Sequence, residues 1–331
     1  MSSNRLKIIG ILIAVFIALG GVGSYFVFNP RTDSRTMTVT PYVTTVTGIE
    51  SFTARYEGAL IDAHTHLMPG LDVDSLISQM DKAGVSRVVL MPREGATDQM
   101  SLSFASKYPN RIIPFVGFQN VRWVKEQDPN FPSYVEDQLK TGRFSGLGEV
   151  ILRHYGVPER DAGSYDIPAD SPLTLQIVDL AAKYAVPMTI HLEAEEKTIP
   201  ALETMLDHNR NASIIWAHHG RSDPDTLVRL LEKHPNLYCD ISAMHPLVQY
   251  GKEKNPITNA EGHLLEKWKR VYETFNERFV FGVDLVFLDT LPKYVEWIQA
   301  YRRILGELTI ESAEKIAYKN IQKLITVGMT R

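Results

Sequence analysis

Six side chains that commonly ligate divalent metal ions follow short apolar runs along this chain. Each stands at the end of its run, just before a turn or a polar stretch. They are His64, His66, Glu149, His191, His218 and Asp284. Imidazole and carboxylate are the groups that Zn²⁺ and similar cations take as ligands. We therefore expect a metal centre wherever the fold brings the ends of these runs together.

The first two histidines are spaced as i and i+2 at the end of the run Leu60–Ala63. Side chains two positions apart on an extended backbone point to the same side. His64 and His66 are therefore predicted to ligate one ion. Asp284 ends the run Phe279–Val283, and its carboxylate could bind the ion and accept a proton from a water molecule that the ion activates. Asp284 is thus a predicted catalytic residue.

Three further positions decide how many ions are held. Glu149 lies beside two glycines near a strand end, where its carboxylate could bridge two cations. His191 and His218 end two other runs and are predicted ligands. Only one of the adjacent pair His218 and His219 can face inward on an extended backbone. We prefer His218 because it continues the apolar run, and we assign His219 to the substrate. The expected cofactor is one or two divalent ions, with zinc as the expected metal.

Short apolar runs alternate with helical patterns from residue 59 onward. The predicted strands are Ala59–Ala63, Arg87–Met91, Ile112–Val116, Ser145–Val150, Pro187–His191, Ser213–Ala217, Leu237–Asp240 and Phe279–Val283. This alternation favours parallel βαβ units, and eight of them fit one (β/α)8 TIM barrel, an α/β fold. The C-terminal ends of all barrel strands share one rim, where the six predicted ligands would meet. An open doubly wound sheet is the alternative, but it explains the placement of the ligands less well.

Helix signals occur between most of these strands. The predicted helices are Asp74–Ala83, Gln99–Lys107, Thr174–Tyr184, Ile199–Asn209, Pro224–His234, Ala260–Phe275, Leu291–Leu305 and Ile310–Ile325. Gly84 is suited to end the first of them, and Asp223 followed by Pro224 is suited to begin the fifth. No helix is predicted between the third and fourth strands.

Composition limits the class of partner. The 331-residue chain is 44% apolar and 22% charged, with a net charge of −4. Because it carries no basic block, we expect no nucleic-acid partner. The single cysteine, Cys239, excludes an intrachain disulfide and a cysteine-rich metal site. A small molecule is therefore the expected substrate.

The N-terminus predicts a membrane anchor. Residues 8–28 form a run of 21 residues without a charge, long enough as a helix to span roughly 30 Å. Arg5 and Lys7 in the short tail 1–7 favour a cytoplasmic N-terminus and an extracytoplasmic or periplasmic catalytic domain. The predicted domains are then this signal anchor, a linker at 29–57 and a barrel at 58–331. Cleavage near Gly20 and secretion is the alternative.

The chain resembles the amidohydrolase superfamily, and within it the amidohydrolase-related (amidohydrolase 2) branch, from about Leu60 to Ile325. The resemblance lies in the motifs DAHTH, HLE, AHHGR and GVD. The glutamate in GLGEV is similar to the one on the fourth strand of TatD-type enzymes. The resemblance implies a divalent-metal barrel hydrolase, although some members are nonoxidative decarboxylases.

The resemblance also implies roles for single residues. His64, His66 and Asp284 match the first metal site of the family. The positions that hold the second metal in binuclear members are matched by Glu149, His191 and His218. In mononuclear members the residue at His218 acts on the substrate, so it is also a candidate catalytic residue.

Other polar side chains follow predicted strands and are candidates for substrate contact. They are Arg93, Arg153, Arg221 and His245, in addition to His219. His154, His208, His234 and His263 are expected to be solvated. The predicted activity is cleavage of an amide, lactone, ester or phosphoester bond by a hydroxide held on the metal. The alternatives are a nonoxidative decarboxylase and a non-catalytic binding protein tethered to the membrane.

Overall fold

The computed structural model of the protein describes residues 55–156, 163–248 and 255–327. The strands in these ranges are β1 (Leu60–Leu67), β2 (Val85–Pro92), β3 (Ile112–Pro114), β4 (Leu147–His154), β5 (Tyr165–Asp166), β6 (Met188–Leu192), β7 (Ile214–Trp216), β8 (Leu237–Asp240) and β9 (Phe279–Val280). The predicted anchor at 8–28 and nearly all of the predicted linker lie outside the described residues. Within the described ranges, none of the helices meets the length and hydropathy that a membrane span requires.

The helices lie between and after these strands. They are α1 (Val73–Ala83), α2 (Asp98–Lys107), α3 (Val121–Val124), α4 (Phe131–Lys140), α5 (Pro172–Tyr184), α6 (Ile199–His208), α7 (Pro224–Lys233), α8 (Glu266–Thr274), α9 (Tyr294–Gly306), α10 (Ile310–Glu314) and α11 (Asn320–Val327). A single π-helical turn, Lys315–Lys319, joins the last two. Gly84 ends α1 with φ 69°, and the Asp223 side chain accepts two backbone N–H bonds at the start of α7. Both predicted helix signals are confirmed.

Eight of these strands, all except β5, run parallel and close into a barrel. They pair in the orders β1-β2-β3 and β4-β6-β7-β8-β9, while β5 makes a short antiparallel pair with β4. Two backbone contacts complete the ring. Val116 N–H donates to Gly146 O at 3.0 Å beside β3 and β4, and Asp284 N–H donates to His64 O at 2.7 Å between β9 and β1. The predicted α/β barrel architecture is therefore confirmed, and the open sheet is excluded.

One close approach makes this closure possible. A Cβ at Gly282 would lie 2.6 Å from His64 Cβ and 3.0 Å from His64 N. No side chain fits in that space, so glycine lets the backbone after β9 lie directly against the residue that carries the first predicted ligand.

The barrel interior is apolar below the rim. Ile61, Ile215 and Val280 pack there with other inward side chains, and Ile321 and Leu324 of α11 join them. These strand residues come before the predicted ligands on the same chain segments, so the ligands lie on the C-terminal side of a packed floor. The site therefore stands on a rigid support.

Several details differ from the sequence prediction. Helix α4 was not predicted, although Phe131, Val135 and Leu139 recur every four residues and Pro132 falls in the first turn, where proline is tolerated. The predicted helix Ala260–Phe275 begins only at Glu266, because the residues before it form a turn closed by a bridge between Thr258 and Leu264.

The start of the domain also differs. Tyr56 falls in the predicted linker, yet it is 3% exposed and its N–H donates to Arg302 O at 2.9 Å. The buried Arg302 guanidinium in turn donates to the carbonyl oxygens of Tyr56 and Gly58. The packed unit thus begins a few residues before the predicted boundary at residue 58.

Candidate metal centre

The structure brings four of the predicted ligands to one point at the barrel rim. His64 Nε2 lies 3.2 Å from His66 Nε2 and 3.5 Å from Asp284 Oδ1. His66 Nε2 lies 3.3 Å from Asp284 Oδ1 and 3.5 Å from Glu149 Oε2. A tetrahedral zinc ion with bonds of about 2.0–2.1 Å separates its ligand atoms by about 3.3–3.4 Å. The two histidines are therefore spaced as ligands of a single divalent ion, and a carboxylate oxygen of Glu149 or Asp284 lies at a ligand separation from them.

The remaining two predicted ligands form a second set that shares Glu149. His191 Nδ1 lies 2.9 Å from Glu149 Oε1, and His218 Nε2 lies 3.9 Å from the same oxygen. His218 Nε2 is also 3.9 Å from Asp284 Oδ2. All six side chains are at most 7% exposed. Because Glu149 belongs to both sets, the arrangement can hold one ion or a bridged pair.

The backbone aims these side chains in two ways. His64 and His66 alternate along β1 as predicted, and His191 lies within β6. His218 and Asp284 follow their strands in left-handed conformations, with φ of 53° and 65°. Such conformations are uncommon for residues with a side chain and mark positions held by their surroundings.

His218 and His219 do not lie on extended backbone as predicted. The strand ends at Trp216, and both histidines lie in a left-handed turn rather than on extended backbone. His218 nevertheless faces the centre. His219 packs against Trp268 with ring centroids 4.5 Å apart, and burial lowers its pKa to about 3. His219 therefore packs against Trp268 of α8 and belongs to neither ligand set, and its contact with a substrate stays a prediction.

Asp240 is the main residue that the sequence prediction missed. Its Oδ2 lies 2.8 Å from His64 Nδ1, and its Oδ1 accepts the His218 backbone N–H at 2.9 Å. The carboxylate therefore holds the Nδ1 proton of His64 and leaves the Nε2 lone pair facing the centre. Asp240 ends β8 as the other candidates end their runs, so the same signal could have identified it.

Further partners fix the ligands from outside. Gln119 Nε2 donates to Glu149 Oε2 at 2.7 Å. The Ser242 carbonyl oxygen lies 2.9 Å from His218 Nδ1, which leaves His218 Nε2 facing the centre. Asp62 accepts from Thr65 Oγ1 and from the Tyr294 hydroxyl, both at 2.8 Å. None of these residues was predicted, because their roles depend on tertiary contacts.

The site concentrates negative charge. Burial alone would lower the pKa of His64, but the charges of Asp240, Glu149 and Asp284 outweigh it and raise this pKa to about 10. Burial likewise opposes the effect of Glu193 and Glu149 on His191, whose pKa also rises to about 10. Burial tends to raise the pKa of Asp284, but the neighbouring histidines lower it far below its usual value. Such a cluster attracts cations.

The remaining predicted substrate residues lie outside both ligand sets. Arg93 Nη1 donates to Val286 O at 2.5 Å, and Arg153 Nη2 lies 3.7 Å from Glu195 Oε1. The Arg221 carbonyl oxygen accepts from Asn255 at 3.0 Å. His245 Nδ1 accepts the Leu247 N–H at 3.1 Å, and burial lowers the pKa of His245 to about 4. Their contact with a substrate stays a prediction.

Comparison with known proteins identifies the family. Residues 48–326 match the profile of the family described as Amidohydrolase. No curated protein matches the chain. An uncharacterised TIM-barrel protein from Bordetella bronchiseptica has 12% identity and a TM-score of 0.57, over 82% of this chain and 100% of that one.

Two further solved structures share the fold. A 2,6-dihydroxybenzoate decarboxylase from Rhizobium has 14% identity and a TM-score of 0.53, over 81% of this chain and 99% of that one. A 4-oxalomesaconate hydratase from Rhodopseudomonas palustris has 14% identity and a TM-score of 0.51, over 81% and 95%. At these identities the likeness shows the fold alone.

We expect Asp240→Asn to weaken metal binding by about 10–100-fold, the usual effect of losing a carboxylate behind a ligating histidine. An amide can present its NH₂ group to His64 and disturb the proton position that the carboxylate holds. Asp179→Asn is the control, because Asp179 pairs with His208 on the surface. Competition with a chromogenic chelator measures both affinities. Equal affinities in the two variants would exclude this role of Asp240.

We expect metal binding near neutral pH to release about two protons, since His64 and His191 have pKa values of about 10 and must lose a proton to become ligands. Metal affinity should therefore rise with pH between about 7 and 9, by about tenfold per unit for each proton displaced. Calorimetry in buffers of different protonation enthalpy counts these protons. A pH-independent affinity in this range would contradict the assignment.

Proposed function

The chain belongs to the amidohydrolase family, and from this premise we propose that it is a metal-dependent hydrolase of a small molecule. The scissile bond is an amide, a lactone or ester, or a phosphoester. The observation that carries the proposal is the spacing of the donor atoms at the rim. His64 Nε2 and His66 Nε2 lie 3.2 Å apart, and Glu149 and Asp284 each have a carboxylate oxygen within 3.6 Å of each of these nitrogens.

The donor set favours zinc or a similar divalent ion. Four imidazoles and two carboxylates, without a thiolate, are ligands that suit Zn²⁺ and related first-row metals. The shared carboxylate of Glu149 supports a binuclear centre. When bound, such ions activate a water molecule and polarise the oxygen of the bond to be cleaved.

Asp284 is the proposed proton carrier. Its carboxylate is buried among His64, His66 and His218, which keep it ionised and able to accept a proton. It can take the proton of the attacking water and deliver it to the leaving group. Its backbone N–H donates to His64 O, so the carboxylate is held beside the first ligand.

His218 and Glu149 have supporting roles in this proposal. Burial lowers the pKa of His218 to about 4, so its ring is neutral at physiological pH and its Nε2 lone pair can serve as a ligand. Glu149 is held by Gln119 on one oxygen and faces His191 with the other. Each oxygen of Glu149 thus has a fixed direction.

We expect the double variant His64→Ala/His66→Ala to lose the ions of the centre together with turnover. Asp284→Asn should lose about 10²–10⁴-fold in kcat, the usual contribution of a general base. The matched control is His208→Ala, which removes a surface imidazole far from the rim. Metal analysis and a panel of amide, lactone and phosphoester substrates measure both effects.

The same panel tests the alternative reaction. Nonoxidative decarboxylation would appear as CO₂ release from aromatic acids without hydrolysis of any ester or amide. One bound ion per centre together with CO₂ release would overturn the hydrolase proposal. Two bound ions that both require Glu149 would support it.

We also propose that residues 8–28 anchor the enzyme as a single-pass helix, with the barrel on the extracytoplasmic side. The support is the uncharged run and the preceding Arg5 and Lys7. The full chain should stay in membranes after a carbonate wash, whereas a chain starting near residue 36 should be released. A mature N-terminus just after Gly20, found by terminal sequencing, would show cleavage instead.

A further inference from the structure

His191 lies between two carboxylates and has a nitrogen close to each. Its Nδ1 is 2.9 Å from Glu149 Oε1, within the centre described above. Its Nε2 is 3.1 Å from Glu193 Oε1, on the other side of the ring. The ring of His154 packs edge-on against His191, with centroids 4.8 Å apart and planes at 70°.

We propose that His154, His191 and Glu193 form an outer binding site for a further divalent transition-metal ion such as Zn²⁺. One donor atom from each residue lies within 4.8 Å of the other two. The 3.1 Å between His191 Nε2 and Glu193 Oε1 is close to the separation of about 3.3 Å between ligands of a tetrahedral zinc ion. Two imidazoles and a carboxylate, with solvent in the fourth position, match the chemistry of zinc.

Glu193 supplies an independent reason to expect a cation. It is 7% exposed, and its Oε1 accepts the Tyr155 N–H at 3.3 Å in addition to facing His191. Its Oε2 is buried and has no hydrogen-bond partner among the described residues. A buried carboxylate oxygen without a partner is unfavourable, and a bound ion would stabilise it.

Local backbone geometry presents these side chains together. His191 and Glu193 are two residues apart at the end of β6, the same spacing as the first pair of histidines on β1. His154 ends β4, which pairs directly with β6. It is half-buried rather than solvated as the sequence suggested.

The contacts of His154 Nδ1 are compatible with two tautomers, one of which leaves Nε2 free to act as a ligand. His154 Nδ1 lies 3.0 Å from Gly163 O, and a proton donated to that carbonyl leaves the Nε2 lone pair available. The Gly156 N–H also approaches Nδ1 at 3.0 Å, which favours the opposite tautomer. Ion binding would select the first tautomer.

The outer site shares His191 with the six-ligand centre at the rim, which is called the inner centre here. If both ions bind, His191 gives one nitrogen to each, and its ring protons pass to solvent. Glu149 and His218 remain available as ligands of the inner centre whether or not the outer ion is bound. The outer site is therefore an addition to the proposed hydrolase centre and does not depend on its reaction.

The test counts zinc ions on the full chain by equilibrium dialysis and elemental analysis. We expect Glu193→Gln and His154→Ala each to bind one ion fewer than the unaltered protein. The matched controls are Glu195→Gln and His208→Ala, because Glu195 lies near Arg153 and His208 pairs with Asp179. Circular dichroism checks that every variant is folded. Unchanged stoichiometry in both Glu193→Gln and His154→Ala would overturn the proposal.

A second background separates this inference from the hydrolase proposal. In the double variant His64→Ala/His66→Ala the inner centre loses two ligands. His154, His191 and Glu193 of the outer site all remain. An ion retained there and removed by adding Glu193→Gln would support the outer site even if no hydrolase activity is found. If that added change removes no ion, the outer site is excluded whatever the activity of the unaltered enzyme.

Discussion

The structure depends on keeping several carboxylates buried side by side at the barrel rim. Glu149, Asp240 and Asp284 are each at most 6% exposed, and they lie among imidazoles. Burying such charges together is unfavourable unless positive charge or hydrogen bonds offset them. Neighbouring carboxylates raise the pKa values of His64 and His191, because they stabilise the protonated rings. The rim is thus built to receive cations, and the packed barrel floor keeps its groups from moving apart.

Much of this arrangement could be predicted from the sequence. Strand ends were visible as apolar runs, and parallel strands in a barrel must end at one rim. That rule alone brings His64 together with Asp284 across more than two hundred residues. The two-residue spacing of His64 and His66 also gave their common direction, because alternation along a strand is a local property.

The parts that were missed depend on contacts between distant segments. Gln119 shows no local pattern that would connect it with Glu149. The left-handed turn at His218 and His219 contains no signal except Gly220, so an extended backbone was assumed. His154 was predicted to be solvated because it was assigned to a loop, whereas it ends β4 and packs against His191. Each miss concerns the direction of a side chain at or beyond the end of a strand.

New substrate specificity could arise in this fold without moving the metal ligands. Four of the six lie within strands, and the other two are tied by backbone hydrogen bonds, Asp284 to His64 and His218 to Asp240. Outside the strands, the side chains of Glu149 and His218 are held by Gln119 and by the Ser242 carbonyl oxygen. Laboratory evolution could therefore exchange loop segments that carry neither these ligands nor their partners, and change which molecules are accepted while the reactive core stays in place.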